Sequence, residues 1–240
     1  MFDFDIQKWR HYAHRFDREG VCIIPHPLKA GFADLMEEEV HDLLQRAQRR
    51  EMCIAESGNT PRAYHSVSRN EIHQYDGYIR RLFESNDILT VFSYVAGEPI
   101  HRVPFEPEEY IINSQSTVND THGWHWDDYT YALIYCIDEP DPMSDARIEY
   151  IADTKWNKDD PESSVRQALL ENTVQSFHLK KHHCYFMKSN TTMHRVSAMT
   201  SNSKRTVIVM TFASTSDLTD KSITHESMNA IYPETAYTAI

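Results

Sequence analysis

The amino-acid sequence predicts a mixed α+β fold that is mainly β, with helices of the N-terminal part packed on one side of a double-sheet core. Helical periodicity dominates the sequence before about residue 100. Many short apolar runs, rich in β-branched and aromatic residues, follow between residues 110 and 214. Helices followed by a series of short strands are typical of a double-sheet β fold with helices on one face.

Three stretches have apolar residues three or four positions apart, which predicts helices over residues 6–18, 30–50 and 71–94. Residues 56–68 contain glycine, asparagine and proline and are predicted to form a loop. A short helix is predicted over residues 161–170, where proline stands in the first turn. The predicted strands span residues 21–24, 110–112, 115–118, 131–137, 147–151, 174–179, 184–187 and 206–214.

Length and composition limit the classes of function. A chain of 240 residues can bury a sizeable core. We predict one domain over residues 1–240, with a helical part at about 1–100 and the β core at about 100–215. The formal net charge of −12 disfavours nucleic acids and anionic membranes as partners.

The sequence also predicts a cytoplasmic protein. No apolar run is long enough to span a membrane, and the first five residues contain two acids and no base, unlike a signal peptide. The four cysteines form no Cys-x-x-Cys pair and are predicted to be reduced, buried thiols. They are Cys22, Cys53, Cys136 and Cys184.

A candidate metal site lies at His125-Trp126-Asp127, just before the predicted strand 131–137. Residues two apart on a strand point to the same face, so the imidazole of His125 and the carboxylate of Asp127 would meet at one point. Two histidines and a carboxylate suit non-haem Fe(II) and leave positions open for substrate and O2. Taken alone, the triplet could equally be an exposed His–Asp pair at a strand start.

His194 and Arg205 would supply the rest of this site. His194 follows the predicted strand 184–187, and Arg205 stands eleven residues later at the base of the strand 206–214. The imidazole would be the third iron ligand. The guanidinium would bind the distal carboxylate of a dicarboxylate co-substrate in two places.

This pattern resembles the Fe(II)/2-oxoglutarate oxygenases of the phytanoyl-hydroxylase-like branch. Residues 108–110 (EEY) and 121–126 (THGWHW) are more closely similar to the BesD-like family, which contains lysine radical halogenases and lysine or ornithine hydroxylases. The resemblance covers about residues 16–212 and implies a double-stranded β-helix (jelly-roll, cupin-like) core. It implies an enzyme, a 2-oxoglutarate-dependent dioxygenase that uses Fe(II), 2-oxoglutarate as co-substrate and O2.

The resemblance also implies the roles of individual residues. His125, Asp127 and His194 would be the catalytic metal ligands, and Arg205 would bind 2-oxoglutarate. The reaction would be hydrogen abstraction by an Fe(IV)-oxo species followed by hydroxyl rebound. In halogenating relatives a small residue replaces the carboxylate ligand, so Asp127 predicts hydroxylation.

The substrate implied by the resemblance is a free amino acid, most favourably lysine or ornithine. A carboxylate would pair with Arg62, and amines with Glu108 and Asp128. Singly, each of these residues has an ordinary explanation, such as a loop cation for Arg62 and a surface acid for Glu108. The residues that match the family's substrate-binding positions are Arg62, Glu108, His122, Asp128 and Thr211.

Two alternatives stay open. One is an oxygenase that acts on another small or carrier-bound substrate, and the other is a non-catalytic cupin-like protein that binds metal or 2-oxoglutarate. The predicted partner is a small molecule, and a homodimer is left open. The N-terminal helices and residues 113–120 are predicted to cover the pocket. No role is predicted for His225, because no partner residues are recognisable around it in the sequence.

Overall fold

The structure is a computed structural model that describes residues 1–3 and 5–233. The helices are α1 (Ile6–Glu19), α2 (Ala30–Leu43), α3 (Arg69–Tyr75), α4 (Tyr78–Glu84), α5 (Asn86–Ala96), α6 (Pro161–Glu171) and α7 (Glu226–Ile231). The strands are β1 (Val21–Ile24), β2 (Gln48–Ile54), β3 (Thr60–Val67), β4 (His101–Arg102), β5 (Tyr110–Gln115), β6 (Thr121–His125), β7 (Tyr131–Asp138), β8 (Ile148–Ile151), β9 (Gln175–Phe177), β10 (Cys184–Lys188), β11 (Met193–Val196) and β12 (Arg205–Ala213).

Three predictions for the first hundred residues were wrong in part. The predicted helix 30–50 ends at Leu43, and the chain then forms β2, which pairs with β3 along its whole length. The predicted loop 56–68 is mostly the strand β3. The predicted helix 71–94 is three helices, separated at Asp76, whose φ of 54° is left-handed, and at the extended Ser85.

The described strands form one antiparallel sheet that curls around a central cavity. Its order is β1-β10-β7-β12-β5-β3-β6-β11-β8-β9, with β2 added to β3 and β4 to β12. Neighbours in this order come from distant parts of the chain, which is typical of a jelly roll. The predicted jelly-roll core with N-terminal helices is confirmed.

The strand β7 lies at the centre of the fold and is buried on both faces. Its side chains alternate: Leu133 and Tyr135 pack into the cluster formed with the N-terminal helices, whereas Ala132 and Ile134 face the inside of the curled sheet. The helices α1, α2, α4 and α5 therefore pack on the outer face of the sheet, away from the cavity.

Cys53 is exposed, contrary to the prediction that all four cysteines are buried. It lies on β2, whose side chains are partly open to solvent. The other three are buried, and all four are free thiols. Among the described residues, no helix combines the length and the apolar character that crossing a membrane requires.

Candidate active site

Two histidines meet where β6 and β11 pair. His125, the last residue of β6, lies directly opposite His194 of β11 in the antiparallel register. Residues opposite each other project from the same face of a sheet. The centroids of the two imidazole rings are 4.1 Å apart. The strand register thus brings together two side chains that are far apart in sequence.

Each imidazole is held in the tautomer that a metal ligand needs. Nδ1 of His125 is bonded to the carbonyl of Gly123 at 2.8 Å, and Nδ1 of His194 to the carbonyl of Thr192 at 2.9 Å. Because a carbonyl only accepts, each Nδ1 carries the proton and each Nε2 has a free lone pair. Burial lowers the pKa of His125 well below its usual value, and the neighbouring His194 adds to this effect.

Asp127 completes a group of three converging side chains. It lies two residues past the end of β6, so the strand that was predicted to carry it stops short. Its backbone N–H donates to the carbonyl of Ser189 at 3.2 Å. Oδ1 of Asp127 lies 3.5 Å from Nε2 of His125 and 3.9 Å from Nε2 of His194. Two imidazoles and a carboxylate in this arrangement fit a metal such as Fe(II).

Arg205 and Gln115 form a second part of the site. The two residues face each other where β12 begins and β5 ends, and Nη1 of Arg205 donates to Oε1 of Gln115 at 2.8 Å. Arg205 is 3% exposed, and it forms no ion pair with a carboxylate in the described part of the chain. Nε2 of Gln115 and Oδ1 of Asn113 are buried without a hydrogen-bond partner there. A buried cation beside an unpartnered amide N–H fits a carboxylate group of 2-oxoglutarate.

Arg62 lies on β3, opposite His122 of β6, and is not in a loop. The two strands approach closely because Gly123 has no side chain: a Cβ there would lie 2.8 Å from the carbonyl oxygen of Pro61. The guanidinium of Arg62 donates to hydroxyl and carbonyl oxygens, including Oγ of Ser57 at 3.1 Å, and to none of the described carboxylates. Nε of Arg62 is buried and has no hydrogen-bond partner in the described part of the chain.

Burial lowers the pKa of Arg62 to about 10, which leaves the group charged at neutral pH. A buried, unpaired cation of this kind is suited to a carboxylate ligand. The ring of His122 stacks between Tyr64 and His125, with centroid distances of 5.0 and 4.3 Å. Burial lowers the pKa of His122 well below its usual value, so the cavity wall at this point is neutral.

Glu108 is buried and is not a surface acid. Its Oε1 lies 2.8 Å from Nδ1 of His225, a residue to which the sequence assigned no role. His225 precedes α7 with a left-handed φ of 58°, and its ring stacks on Phe105 at 3.9 Å. Burial raises the pKa of Glu108 to about 7, although the bond to His225 acts in the opposite direction.

Asp128 does not simply cap a turn. Its Oδ1 accepts a hydrogen bond from Nζ of Lys158 at 2.5 Å, and its side chain is 5% exposed. Lys158 lies in the loop that leads from β8 to α6. Glu108, Asp128 and His225 form a second group whose ligand-type atoms lie within 4.8 Å of one another.

One cavity connects the two groups. The predicted residues that line it are Arg62, Glu108, His122, His125, Asp127, Asp128, His194, Arg205 and Thr211. Ser227, Met228 and Ile231 of α7 line it as well, and Tyr232 follows them. The N-terminal helices were predicted as its cover, but the described structure has α7 there instead. Within residues 113–120, Asn113 and Gln115 face the cavity.

Four groups at this site were not predicted from the sequence: Gln115, Lys158, His225 and α7. The alternation along β5 could have indicated Gln115, because it points to the same side as Asn113 two residues earlier. Lys158 and His225 lie in loops and contact Asp128 and Glu108, and no sequence periodicity marks such residues.

A protein-family model described as HalD, Halogenase D, matches residues 4–233. The chain belongs to the HalD family. A comparison with curated proteins gives no significant match. The H-x-D motif of His125 and Asp127, together with His194, is present in this member of the HalD family.

Solved structures share the fold of this HalD-family chain at low sequence identity. The epimerase SnoN in complex with Fe3+, alpha ketoglutarate and nogalamycin RO has a TM-score of 0.64 and 15% identity, over 88% of this chain and 85% of that one. AviO1 from Streptomyces viridochromogenes has a TM-score of 0.64 and 17% identity, over 86% and 95%. EctD from S. alaskensis, with 2-oxoglutarate and 5-hydroxyectoine, has a TM-score of 0.61 and 14% identity, over 89% and 77%. The fold is therefore that of the Fe/2-oxoglutarate oxygenases.

Proposed function

We propose that the chain is an Fe(II)/2-oxoglutarate-dependent hydroxylase of a free amino acid, with lysine or ornithine as the preferred class of substrate. The observation that carries this proposal is the composition of the single cavity described above. It contains the His125–Asp127–His194 group together with two buried arginines, Arg62 and Arg205, that have no carboxylate partner among the described residues. Two unpaired cations beside a metal-type group suit two separate carboxylate ligands.

In this proposal His125, Asp127 and His194 hold Fe(II), and Arg205 holds the distal carboxylate of 2-oxoglutarate with help from Gln115. Bound iron, with 2-oxoglutarate and O2, supplies the oxidation of an unactivated C–H bond. The chain contributes two imidazoles whose Nε2 atoms converge with a carboxylate, while backbone carbonyls hold both rings through Nδ1. Apolar neighbours such as Ala132 and Ile134 exclude water from this part of the cavity.

The proposed substrate lies between Arg62 and the acidic end of the cavity at Glu108 and Asp128. Arg62 would pair with the substrate carboxylate through its unpartnered Nε. The acidic end would take an ammonium group, while the neutral ring of His122 and the hydroxyl of Thr211 form walls between them. Fixing both ends of the substrate would hold one carbon near the metal group.

Hydroxylation rather than chlorination is proposed because of Asp127. Its carboxylate occupies the position that would have to be vacated for a halide ligand, and its negative charge opposes an incoming anion. Apolar Val209, which also lines the cavity, offers no polar contact to direct a substrate radical away from a hydroxyl ligand.

The test is succinate formation with Fe(II), 2-oxoglutarate, ascorbate and a panel of amino acids. The proposal expects lysine or ornithine to stimulate succinate formation and neutral or acidic amino acids to do so weakly. Stimulation by neutral or acidic amino acids alone would contradict the proposed substrate class. If no free amino acid stimulates succinate formation, another small or carrier-bound substrate becomes the better account. If no succinate forms with any substrate, the result favours a non-catalytic protein that binds metal or 2-oxoglutarate.

A further inference from the structure

A lysine of the chain itself binds one of the two acids at the acidic end of the cavity. Nζ of Lys158 lies 2.5 Å from Oδ1 of Asp128, 3.3 Å from the carbonyl oxygen of Ser222 and 3.4 Å from Oγ1 of Thr224. An ammonium group has three N–H donors, so these three acceptors saturate it. The ammonium of Lys158 therefore already pairs with Asp128, one of the two carboxylates that could otherwise bind a substrate ammonium.

The segment that carries Lys158 is anchored behind the proposed iron ligands. Oγ1 of Thr154 accepts a hydrogen bond from Nε1 of Trp126 at 2.9 Å. The ring of Trp156 lies parallel to that of Trp126, at an interplanar angle of 8°, and its Nε1 donates to the carbonyl of Glu56 at 3.1 Å. Nζ of Lys158 then lies over the Trp156 ring, 4.5 Å from its centroid. These contacts fix the position of Lys158, although 37% of its side chain is exposed.

Glu108 is held differently from Asp128. Its described hydrogen-bond partner is His225, and a neutral imidazole can donate one N–H without supplying a charge. A carboxylate has about four lone-pair positions, so Glu108 keeps room for a further donor. Asp128 therefore has an ammonium group as its partner, whereas Glu108 has an imidazole ring.

We propose that Lys158 is a specificity-determining residue: it keeps Asp128 neutralised and leaves Glu108 to pair with the single distal ammonium of the substrate. This inference rests on the proposed function for its substrate class. It divides the acidic end into a closed wall pair, Asp128–Lys158, and an open site at Glu108. When Glu108 is ionised, the substrate end of the cavity carries one unit of negative charge, which matches one ammonium group.

The test is calorimetric binding of L-lysine and L-ornithine to the Fe(II)- and 2-oxoglutarate-loaded enzyme without O2, with L-norleucine as a probe that lacks the distal ammonium. The variants are Glu108→Gln, Lys158→Met and the double variant Asp128→Asn with Lys158→Met. The double variant removes the wall pair without leaving an unpaired charge. We expect it to bind the basic amino acids within about threefold of the native enzyme, whereas Glu108→Gln should weaken them about tenfold or more.

Lys158→Met alone leaves the carboxylate of Asp128 without its cation beside the ammonium site. We therefore expect tighter binding of the basic amino acids, by about fivefold or more, and no change for L-norleucine. Lys155→Met, an exposed lysine of the same segment, is the matched control and should change neither. The inference is overturned if the double variant loses as much affinity for the basic amino acids as Glu108→Gln does. In that case Asp128 is itself the ammonium ligand.

A double-mutant cycle measured by thermal unfolding tests whether Lys158 and Asp128 interact, and it needs no substrate. Each single variant should lower Tm by about 2 °C or more, and the double variant should lower it by clearly less than the sum. Additive effects would contradict the closed pair. Failure of the native enzyme to bind any basic amino acid would instead contradict the proposed function. The double-mutant cycle would still show whether Asp128 is paired with Lys158.

Discussion

Two groups of carboxylates and histidines lie at the same cavity, and they differ in which partners their nitrogen and oxygen atoms bond to. At His125, Asp127 and His194, the ring Nδ1 atoms bond to the backbone while both Nε2 atoms and Oδ1 of Asp127 face one another. At Glu108, Asp128 and His225, the ammonium of Lys158 and the His225 ring already bond to the two carboxylates. Similar residue types thus give an open metal-type group in one region. In the other region Lys158 closes off Asp128, while Glu108 bonds to His225 and stays open to a further donor.

The difference comes from the surroundings and not from the residue types. Backbone carbonyls hold the two imidazoles from behind, so their lone pairs point into the cavity. The loop before α6 brings the ammonium of Lys158 to Asp128, and the loop before α7 brings the ring of His225 to Glu108. A buried carboxylate is stabilised only when a cation or hydrogen-bond donors reach it. We therefore propose that the first group binds the metal and that the second takes part in substrate recognition.

The largest expected effect on activity comes from substitution of Asp127 in the metal-type group. Asp127→Gly removes the carboxylate from the metal-type group, and we expect the loss of most hydroxylation and at best weak chlorination. The physical reason is that two ligands remain, and Val209 gives no polar contact to control the outcome. Product mass spectrometry in high chloride measures both outcomes. A chlorinated amino acid as the main product of the native enzyme would contradict the role of Asp127.

Arg205→Ala should come next in size. It removes a buried cation from a carboxylate ligand, which typically costs about 2–5 kcal/mol, or about 30-fold to several thousand-fold in the 2-oxoglutarate requirement. Titration of 2-oxoglutarate against the rate of succinate formation measures this.

Lys204→Ala is the matched control for that variant, since Lys204 is adjacent but pairs with Asp138 at 3.0 Å. It should leave the 2-oxoglutarate requirement unchanged. If Arg205→Ala has no effect and Lys204→Ala has one, the assignment of the co-substrate cation is wrong.

Glu108→Gln tests the substrate side of the comparison. Losing a charged hydrogen bond of about 1.5–3 kcal/mol should raise KM for a basic amino acid about tenfold to hundredfold, with little change for 2-oxoglutarate. Glu109→Gln is the matched control, because Glu109 pairs with Arg69 at 2.8 Å. Equal effects on the amino acid and on 2-oxoglutarate would show that Glu108 acts through the structure of the whole cavity.

The smallest expected effect is on pH dependence. The folded chain retains the Glu108 proton up to about pH 7, whereas the unfolded chain loses it near its ordinary value of 4.5. The contribution of Glu108 to stability therefore falls as pH rises from 4.5 to about 7, because the folded state binds more protons across that window.

Substrate binding should change in the opposite direction, because only the ionised Glu108 pairs with an ammonium. The affinity for a basic amino acid should rise by up to about tenfold between about pH 6 and pH 8 in the native enzyme. Glu108→Gln should be flat in the same range. A rise of the same size in the variant would assign the titration to another group.

The outline of the fold could be predicted from the sequence because the buried strands and helices have clear patterns of apolar residues. β7 is apolar on both faces, and the N-terminal helices have apolar stripes that face it. β2 was missed because its residues are polar and partly exposed, and because they continue the helical spacing of α2. β3 was missed because turn-forming residues precede it. Its strand conformation depends on pairing with β2, β5 and β6.

The proposed iron ligands were predictable because the H-x-D spacing is local and His194 follows a strong strand. Their meeting depends on the β6–β11 register, which the sequence does not contain. The grouping of Arg62 and Glu108 came only from a family resemblance. Lys158 and His225 were missed since their contacts are made by loops, and only the folded structure shows which loop covers which part of the cavity.

The most direct test of which group binds the metal is an Fe(II) titration of the purified protein without O2, followed by calorimetry. One equivalent of Fe(II) per chain is expected for the native protein and for Glu108→Gln. His194→Ala should lose this binding, because the two remaining ligands cannot define a metal geometry. A second equivalent that disappears in Glu108→Gln would contradict the assignment of the two groups, and so would full binding by His194→Ala.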